Sequence, residues 1–306
     1  SALIAPGGSY RLRGTKGSIP LAIISQNRPP KDPNQGATGF LDLNKLKFDR
    51  QGRFDVLLSP AKPAGYTGDW WELKPGVNAL LMRQVSADWA NEVEPLVTIE
   101  RVDGPATRPR PSAAWLEQKL RALPLRVDFS ALMFVNHVDQ LAKRGLVNKV
   151  EGFTAPYSAL AGQFYYEGAY ELKDDEALIV ESPLPTQCQY RSLILTNEIY
   201  ETTDWYNNHS SLNHAQAAPD PDGKLRIVIS AKDPGVKNWL DTAGYPRGLI
   251  QGRWTNCTSQ PIPEIKLVKF ADVMANLPKG VSTVTPAQRE QIVRERRRAL
   301  QERPLW

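Results

Sequence analysis

The chain contains two copies of one short pattern, and this repeat limits the possible folds more than any other feature. Residues 49–59 (DRQGRFDVLLS) align without a gap with residues 220–230 (DPDGKLRIVIS). In each copy a glycine turn precedes a strand-like run, which is the signal of a β-hairpin. A tryptophan, a leucine, a glycine and an arginine then follow in the same order, Trp71, Leu73, Gly76 and Arg83 in the first copy and Trp239, Leu240, Gly248 and Arg253 in the second. This ordered series predicts an internal duplication.

Duplicated β units predict a mainly β fold built from sandwich-like or jelly-roll-like units. A unit of this size is too small to bury both faces of its sheet, so we expect the two units to pack against each other. A parallel α/β sheet is disfavoured because strands and helices do not alternate. The predicted domains are a first β unit, a helical insertion, a second β unit that carries the candidate site, and an arginine-rich helical tail, at residues 1–110, 111–150, 151–270 and 271–306.

The apolar spacing changes from two residues to about 3.6 after Pro111, which predicts helices. Ser112 can cap a first helix, and residues 129–143 form the apolar stripe of a second, with Gly145 as its stop. His137 lies on that second helix and is expected to be a partly buried structural histidine. Pro286 stands in the first turn of a long C-terminal helix.

The net charge of +5 is concentrated at the C-terminal end. Residues 286–306 hold six arginines against three glutamates, so three of the five excess charges lie there. A nucleic-acid-binding domain needs a broad basic face, and the rest of this chain is close to neutral. We therefore expect no nucleic-acid partner. The arginines are expected on a solvated helix face, and a homo-oligomer assembled through this helix is the alternative role.

Cysteine content and hydropathy bear on location. The two cysteines, Cys188 and Cys257, are expected to be small buried apolar residues, which favours a reducing, cytoplasmic compartment. No apolar run reaches the roughly 20 residues of a membrane span. The strand-like segment at residues 10–13 begins so close to the start that an exported form with a removed leader is the alternative.

The second copy carries polar and aromatic side chains that the first copy lacks, which favours it as the functional unit. The candidate catalytic residues are His209, His214 and Asp233, with histidine as a general acid or base held by a carboxylate. Amides and rings nearby suit a small-molecule pocket. The candidate substrate-binding residues are Trp205, Tyr206, Asn207, Asn213, Asn238, Trp239, Arg253 and Trp254.

Several kinds of site are not supported by the sequence. His209 and His214 are five residues apart, so they point to opposite faces of a strand, and only a loop could bring both to one metal. No Cys/His cluster, GxSxG motif or phosphate-binding loop occurs. We therefore expect no metal and no cofactor. For Arg253 a structural ion pair and an anionic ligand are both open, because a buried arginine needs a partner.

The segment DPGVKNWL at residues 233–240, together with Arg253-Trp254, resembles the bacterial domain of unknown function 1214 family. The YRLRG, GDWWEL and arginine-rich segments are similar as well, so the resemblance covers most of the chain. It implies a β-rich sandwich and no particular activity, and no catalytic residue is carried over from it.

Three hypotheses of different classes follow from the sequence. The first is an enzyme that acts on a small, largely apolar or aromatic molecule in the second β unit, with hydrolase, lyase and isomerase chemistry not distinguished. The second is a non-catalytic binding module for carbohydrate or another small ligand. A third reading is a structural subunit that assembles through its helical tail.

Overall fold

A computed structural model describes residues 1–29, 36–105, 107, 110–154, 160 and 162–303. The fold is mainly β, as predicted, and it divides into two compact units. Unit 1 comprises residues 1–109, 154–163 and 303–306, and unit 2 comprises residues 110–153 and 164–302.

Unit 1 consists of two four-stranded sheets around one core. The sheets have the strand orders β1-β7-β3-β4 and β6-β5-β2-β8. Apolar side chains from both sheets, such as Ile24 and Val56, form one buried cluster between them. The strands are β1 (Ala2–Leu3), β2 (Tyr10–Thr15), β3 (Leu21–Asn27), β4 (Gly39–Asp42), β5 (Arg53–Ser59), β6 (Asp69–Glu72), β7 (Ala79–Val85) and β8 (Val97–Arg101), with a 3-10 turn at Leu43–Lys45.

Unit 2 pairs a five-stranded sheet with a four-stranded one. The strand orders are β13-β12-β16-β10-β9 and β15-β14-β11-β17. The strands are β9 (Glu151–Phe153), β10 (Gln163–Glu171), β11 (Glu176–Ser182), β12 (Cys188–Thr196), β13 (Ser211–Asn213), β14 (Leu225–Ser230), β15 (Trp239–Asp241), β16 (Arg247–Cys257) and β17 (Glu264–Lys269). The helices are α1 (Ala113–Lys143) and α2 (Pro286–Gln301). Two 3-10 turns occupy Phe270–Asp272 and Met274–Asn276.

Each unit contains both layers of its own sandwich. In unit 2 the inner faces of the two sheets meet in one core, where Leu193 and Ile250 of one sheet belong to the same cluster as Ile229 of the other. The expectation that a sandwich needs both units is therefore wrong. Each unit has eight or more strands, which is enough to form two layers and to bury one face of each.

The four-stranded sheets β6-β5-β2-β8 and β15-β14-β11-β17 share one topology. In both sheets one edge strand, β6 or β15, runs parallel to its neighbour. The other neighbouring strands in each sheet are antiparallel. The indole N–H of Trp70 donates to the hydroxyl of Ser59 at 2.9 Å, and that of Trp239 donates to Ser230 at 3.0 Å. Trp70, one residue before the Trp71 of the sequence comparison, is thus the counterpart of Trp239. This common design is what a duplication predicts.

The repeated glycine turn is present in both units, but it does not form a local hairpin. Gly52 and Gly223 both have positive φ, and each turn leads into its strand, β5 or β14. The residues before Gly52 form no strand, and β5 pairs with β2 instead. Register with a distant strand therefore decides the pairing, while the turn sets only where β5 begins.

The helical insertion is one helix instead of the two that were predicted. Ser112 caps α1 by accepting from the backbone N–H of Trp115, and α1 runs to Lys143 through Pro124. The apolar residues before and after Pro124 follow the same helical phase, and the surrounding leucine, alanine and arginine residues favour helix. Proline removes one backbone hydrogen bond, which is insufficient here to end the helix.

The C-terminal helix buries part of its charge. Arg289 and Arg296 of α2 are buried, whereas Arg294 is exposed. Arg303, which already belongs to unit 1, is buried beside Glu94 of the same unit. The predicted solvated face is present for Arg294, Arg297 and Arg298, whereas Arg289 and Arg296, spaced seven apart, lie on the buried face of the helix. Among the described helices, none combines the length and hydrophobicity required to traverse a lipid bilayer.

The two cysteines form a disulfide instead of lying apart as apolar residues. Cys188 and Cys257 are register partners on the antiparallel strands β12 and β16. They are 69 residues apart in sequence, so only the pairing of these strands reveals their proximity. A disulfide is more typical of an oxidising compartment than of a reducing one.

Candidate functional site

His209 lies in a buried cluster against α2. Its Nδ1 atom is 2.5 Å from the carbonyl oxygen of Trp239, and its Nε2 atom is 3.4 Å from Nη1 of Arg289. The rings of His209 and Trp239 are stacked with their centroids 6.1 Å apart. Because the carbonyl can only accept, Nδ1 carries the proton and Nε2 accepts from the guanidinium.

The environment of His209 keeps its imidazole neutral. Burial is the main cause, and the nearby positive charges of Arg289 and Arg296 add to it, so the pKa of His209 falls to about 3. The side chain is 4% exposed. Both ring nitrogens of His209 are thus turned to protein partners.

Three other candidate residues belong to this same cluster. The Asp233 carboxylate accepts from Nε of Arg289 at 2.8 Å, and the ring of Trp239 lies 5.1 Å below the guanidinium of Arg289. The carbonyl of Trp205 accepts from Nε of Arg296 at 2.7 Å. These contacts attach α2 to the second unit, so the four candidates surround two arginines of the same chain.

The amide candidates and Tyr206 mostly stabilise turns and loops. Asn238 donates to the carbonyl of Ala218 at 2.7 Å, and Asn207 donates to Asp204 at 2.9 Å. The side-chain oxygen of Asn213 accepts from the backbone N–H of Ala215 at 2.9 Å, and the Tyr206 ring meets the edge of Trp205. The hydrogen bonds of Asn207 and Asn213 are local, which is the usual role of asparagine in turns, whereas that of Asn238 joins segments 20 residues apart.

The remaining candidates are divided between two faces of the five-stranded sheet. Trp254 lies in the core and donates to the carbonyl of Pro261 at 2.9 Å. Arg253, the preceding residue, points to the outer face because side chains alternate along a strand. The ring of His214 packs edge-on against Tyr190 at 5.6 Å. The eleven candidates therefore do not converge on a single pocket.

A second polar cluster, which sequence reasoning missed apart from Arg253, lies on the outer face of this sheet. Its centre is Glu167 of β10, which is 2% exposed. The Oε2 atom of Glu167 is 2.6 Å from Nε2 of His137, and its Oε1 atom accepts from Tyr200 at 3.1 Å and from Gln251 at 2.5 Å. We call Glu167, His137, Tyr200, Gln251 and Arg253 the Glu167 cluster.

Regular elements position most of these side chains. Along β10, Tyr166 and Tyr170 point into the core, so Glu167 points outward by alternation. His137 comes from α1, one turn before Leu141, which is buried against Leu249 of β16. This apolar contact fixes the helix on the sheet and brings the imidazole to the carboxylate.

Arg253 completes the cluster. Its guanidinium lies 5.5 Å over the ring of Tyr165 and donates to the side-chain oxygen of Gln251. Its Nε atom is buried and has no hydrogen-bond partner among the described residues. A buried donor on a charged group is costly when it is unsatisfied.

Aromatic rings border the polar groups. Tyr165 stacks on Phe153 at 5.5 Å, and Phe134 stacks on Tyr200 at 4.8 Å. Burial, followed by the charge of Glu167, raises the pKa of Tyr200, so its hydroxyl stays protonated and donates to the carboxylate. Rings beside a cation suit a flat or apolar ligand that carries negative charge.

One signal in the sequence could have drawn attention to Glu167, although not to its partners. Glu167 is the sole carboxylate within the aromatic run FYYEGAY at residues 164–170, where a half-buried strand is expected to exclude charge. Its partners His137, Tyr200 and Gln251 are 30, 33 and 84 residues away in sequence. Across the described ranges, no three His, Cys, Asp or Glu side chains are grouped so that they could bind a metal ion.

Comparison with solved structures supports the β-rich fold. An uncharacterized protein from Burkholderia cenocepacia superposes with a TM-score of 0.80 at 26% sequence identity, covering 89% of this chain and 76% of that one. A Vibrio parahaemolyticus protein gives a TM-score of 0.50 at 12% identity, with 88% of each chain covered, and shows similarity of fold alone. No curated protein matches the chain.

The family comparison agrees with the resemblance found in the sequence. The matched segment begins in β10, at Tyr170, and ends at the start of β16. It therefore includes β14, β15 and the DPGVKNWL segment that carries the resemblance. Residues 170–247 match the family described as Protein of unknown function (DUF1214).

Proposed function

We propose that unit 2 binds a small aromatic or largely apolar molecule with a carboxylate at the Glu167 cluster, and that His137 acts on it as a general acid or base. The observation that carries this proposal is the pair formed by Glu167 and His137. A carboxylate that holds one imidazole nitrogen fixes the ring, so that the other nitrogen can exchange a proton with a ligand.

Exposure supports a role for this histidine. The side chain of His137 is 36% exposed, whereas that of its partner Glu167 is 2% exposed. The imidazole thus lies between a buried carboxylate and solvent. This arrangement differs from that of His209, whose two nitrogens both face protein groups.

Arg253 provides the reason for expecting an anionic ligand. Its buried Nε atom lacks a hydrogen-bond partner among the described residues, and a carboxylate is the acceptor that fits a guanidinium with two parallel bonds. The neighbouring Tyr165 and Phe153 provide an aromatic surface. We therefore expect ring-bearing carboxylates to bind more tightly than neutral analogues.

The comparison of the two units points to the same place. We infer that they arose by duplication, because the sheets β6-β5-β2-β8 and β15-β14-β11-β17 share one topology. A helix such as α1, which brings His137 to the sheet, is absent from the described part of unit 1. Features that one copy has gained are better candidates for function than features that both copies share.

A non-catalytic binding module is the second candidate, and the aromatic stacks favour it. Tyr165 on Phe153 and Phe134 on Tyr200 could hold a ligand without any proton transfer. This function needs Arg253 and the rings but not the imidazole. The two candidates therefore differ in the effect expected from replacing His137.

The test uses benzoate, phenylacetate and phenylpyruvate as probes, with benzyl alcohol as the neutral analogue. Binding is measured by calorimetry, and acid–base chemistry is measured by NMR as deuterium incorporation from D2O next to the carbonyl of phenylpyruvate. Arg253→Met is expected to weaken carboxylate binding about 10- to 100-fold. Arg247→Met, on the same strand but exposed, is the control and should bind like the parent protein.

His137→Gln separates the two candidates. An acid–base site predicts that this variant still binds but loses the exchange activity. A binding module predicts that no exchange occurs with the parent protein, while Arg253→Met still weakens binding. Equal affinity for carboxylates and benzyl alcohol, unchanged in Arg253→Met, would contradict both candidates.

A further inference from the structure

Most of α1 presents apolar side chains to solvent. Ten large apolar residues between positions 115 and 134 are 41–76% exposed, the most exposed being Leu120, Leu125 and Phe129. We call residues 113–134 the α1 arm. With roughly 150 Å² for a fully exposed large side chain, the ten together expose roughly 800 Å². These residues lie around most of the circumference of the helix, and their total exceeds the about 300–600 Å² of the largest apolar patch on a typical monomer.

The helix also lacks the packing that would make it stable alone. Its buried residues are Val138 and Leu141, both near its C-terminal end. Isolated helices are marginal in water, and most helices in proteins are stabilised by burying an apolar face. Pro124 in the arm removes one further backbone hydrogen bond. A helix of this kind is expected to have its apolar face covered.

The exposed stripe continues the stripe that is already buried. Leu116, Leu120, Leu123, Val127 and Phe134 are separated by steps of three, four or seven residues, which places them on the helix face that carries Leu141. That face is buried against β16 at its C-terminal end. The arm thus extends a packed helix face beyond the edge of its own sheet.

The charge and symmetry of the arm favour a second copy of the chain as its partner. The arm carries three basic and two acidic residues, which is close to neutral. Helices that bind lipid surfaces usually have a strongly charged polar face. Steps of three and four residues form the seam of paired helices. Leu116 and Phe134, like Leu123 and Val127, are equally distant from position 125, so an antiparallel pair matches these four apolar residues with one another.

We propose that the α1 arm is a dimer interface, in which two copies pair their arms antiparallel about a twofold axis near residue 125. The symmetric contact places Leu123 of one copy against Val127 of the other. At roughly 150 Å² per side chain, the stripe of Leu116, Leu120, Leu123, Val127 and Phe134 exposes roughly 400 Å² on each copy, which is about half of what each partner contributes to a standard interface. The surface is self-complementary, as a twofold interface requires.

The experiment is sedimentation equilibrium of the full chain over a range of about 1–100 µM. The parent protein is expected to have twice the mass of one chain. Leu123→Glu combined with Val127→Glu should raise the dissociation constant at least about 100-fold, because two apolar contacts are replaced by charge. Leu267→Glu, an exposed leucine on β17, is the matched control and should remain dimeric.

Circular dichroism and thermal unfolding of each variant show whether the β units stay folded. A monomeric parent protein at the highest concentration would overturn the proposal, as would a dimer that survives the double substitution. Cosedimentation of monomers with anionic lipid vesicles, lost in the double variant, would also overturn it in favour of a membrane surface. The outcome is independent of ligand binding at Arg253, which is measured separately.

Discussion

The Oε2 atom of Glu167 lies 2.6 Å from Nε2 of His137, which joins the centre of a β-sheet to a helix 30 residues earlier in the chain. The same carboxylate accepts from Tyr200 and Gln251. A single buried acceptor therefore organises three donors from three parts of unit 2.

Replacement of Glu167 by glutamine should destabilise the protein by about 1–3 kcal/mol. The amide places an N–H₂ group where three donors need acceptors, and a buried unsatisfied donor has a cost of this size. Urea unfolding at neutral pH measures the change. Glu171→Gln, at the exposed end of the same strand, is the control and should change stability by less than about 0.5 kcal/mol. Equal effects of the two substitutions would contradict a central role for Glu167.

Acid should destabilise the protein through His209. Its pKa is about 3 in the folded state and about 6.5 in the unfolded chain. Between these values the unfolded state binds more protons, so the stability present above about pH 6.5 is lost as pH falls, at roughly 1.4 kcal/mol per unit. Urea unfolding at about pH 7 and pH 5 measures this slope. In His209→Gln the part of the slope due to this group should disappear, and an unchanged slope would refute the assignment.

Removal of the Arg289 guanidinium should cost about 3 kcal/mol of folding free energy. Arg289→Met leaves the Asp233 carboxylate without its ion-pair partner. The carbonyl of Val236 also loses a hydrogen-bond donor. Thermal or urea unfolding measures the loss. Arg294→Met, on the exposed face of the same helix, should cost less than about 1 kcal/mol. A neutral effect at Arg289 would mean that α2 is not attached through this cluster.

The disulfide should stabilise unit 2 by about 2–4 kcal/mol. Cys188 and Cys257 close a loop of 69 residues, and cross-linking a loop of this length lowers the entropy of the unfolded chain. Urea unfolding with and without a reductant measures the contribution. Cys257→Ser should reproduce the effect of the reductant and abolish any further response to it. A response to reductant that persists in this variant would contradict the prediction.

The mainly β class, the cap at Ser112 and the long C-terminal helix were predictable because each depends on local spacing. Pro124 misled the prediction, since a proline is a frequent helix end but the apolar phase on both sides supports one helix. The Glu167 cluster could not be assembled from the sequence. Its members come from a helix, a loop and two strands, and an isolated glutamate in an aromatic strand gives no information about which donors will reach it.

The candidate residues around His209 illustrate the same limit. Their density indicated that His209, Asp233 and Trp239 lie near one another, and the structure places all three around Arg289. Their surroundings depend on α2, which begins more than 40 residues later. Because α2 covers this place, side chains expected to line a pocket are buried against arginines. Whether His214 has a catalytic role stays a prediction.

The sequence by itself determined the repeated β pattern, the positions of the turns and caps, and the family resemblance, because these depend on residues close together along the chain. The tertiary structure decided which strands pair, that Cys188 meets Cys257, and that His137 has a side open to solvent whereas His209 is buried. Burial and hydrogen-bond partners are set by contacts between distant segments, and strand register, which brings those segments together, is specified by the packing of whole sheets.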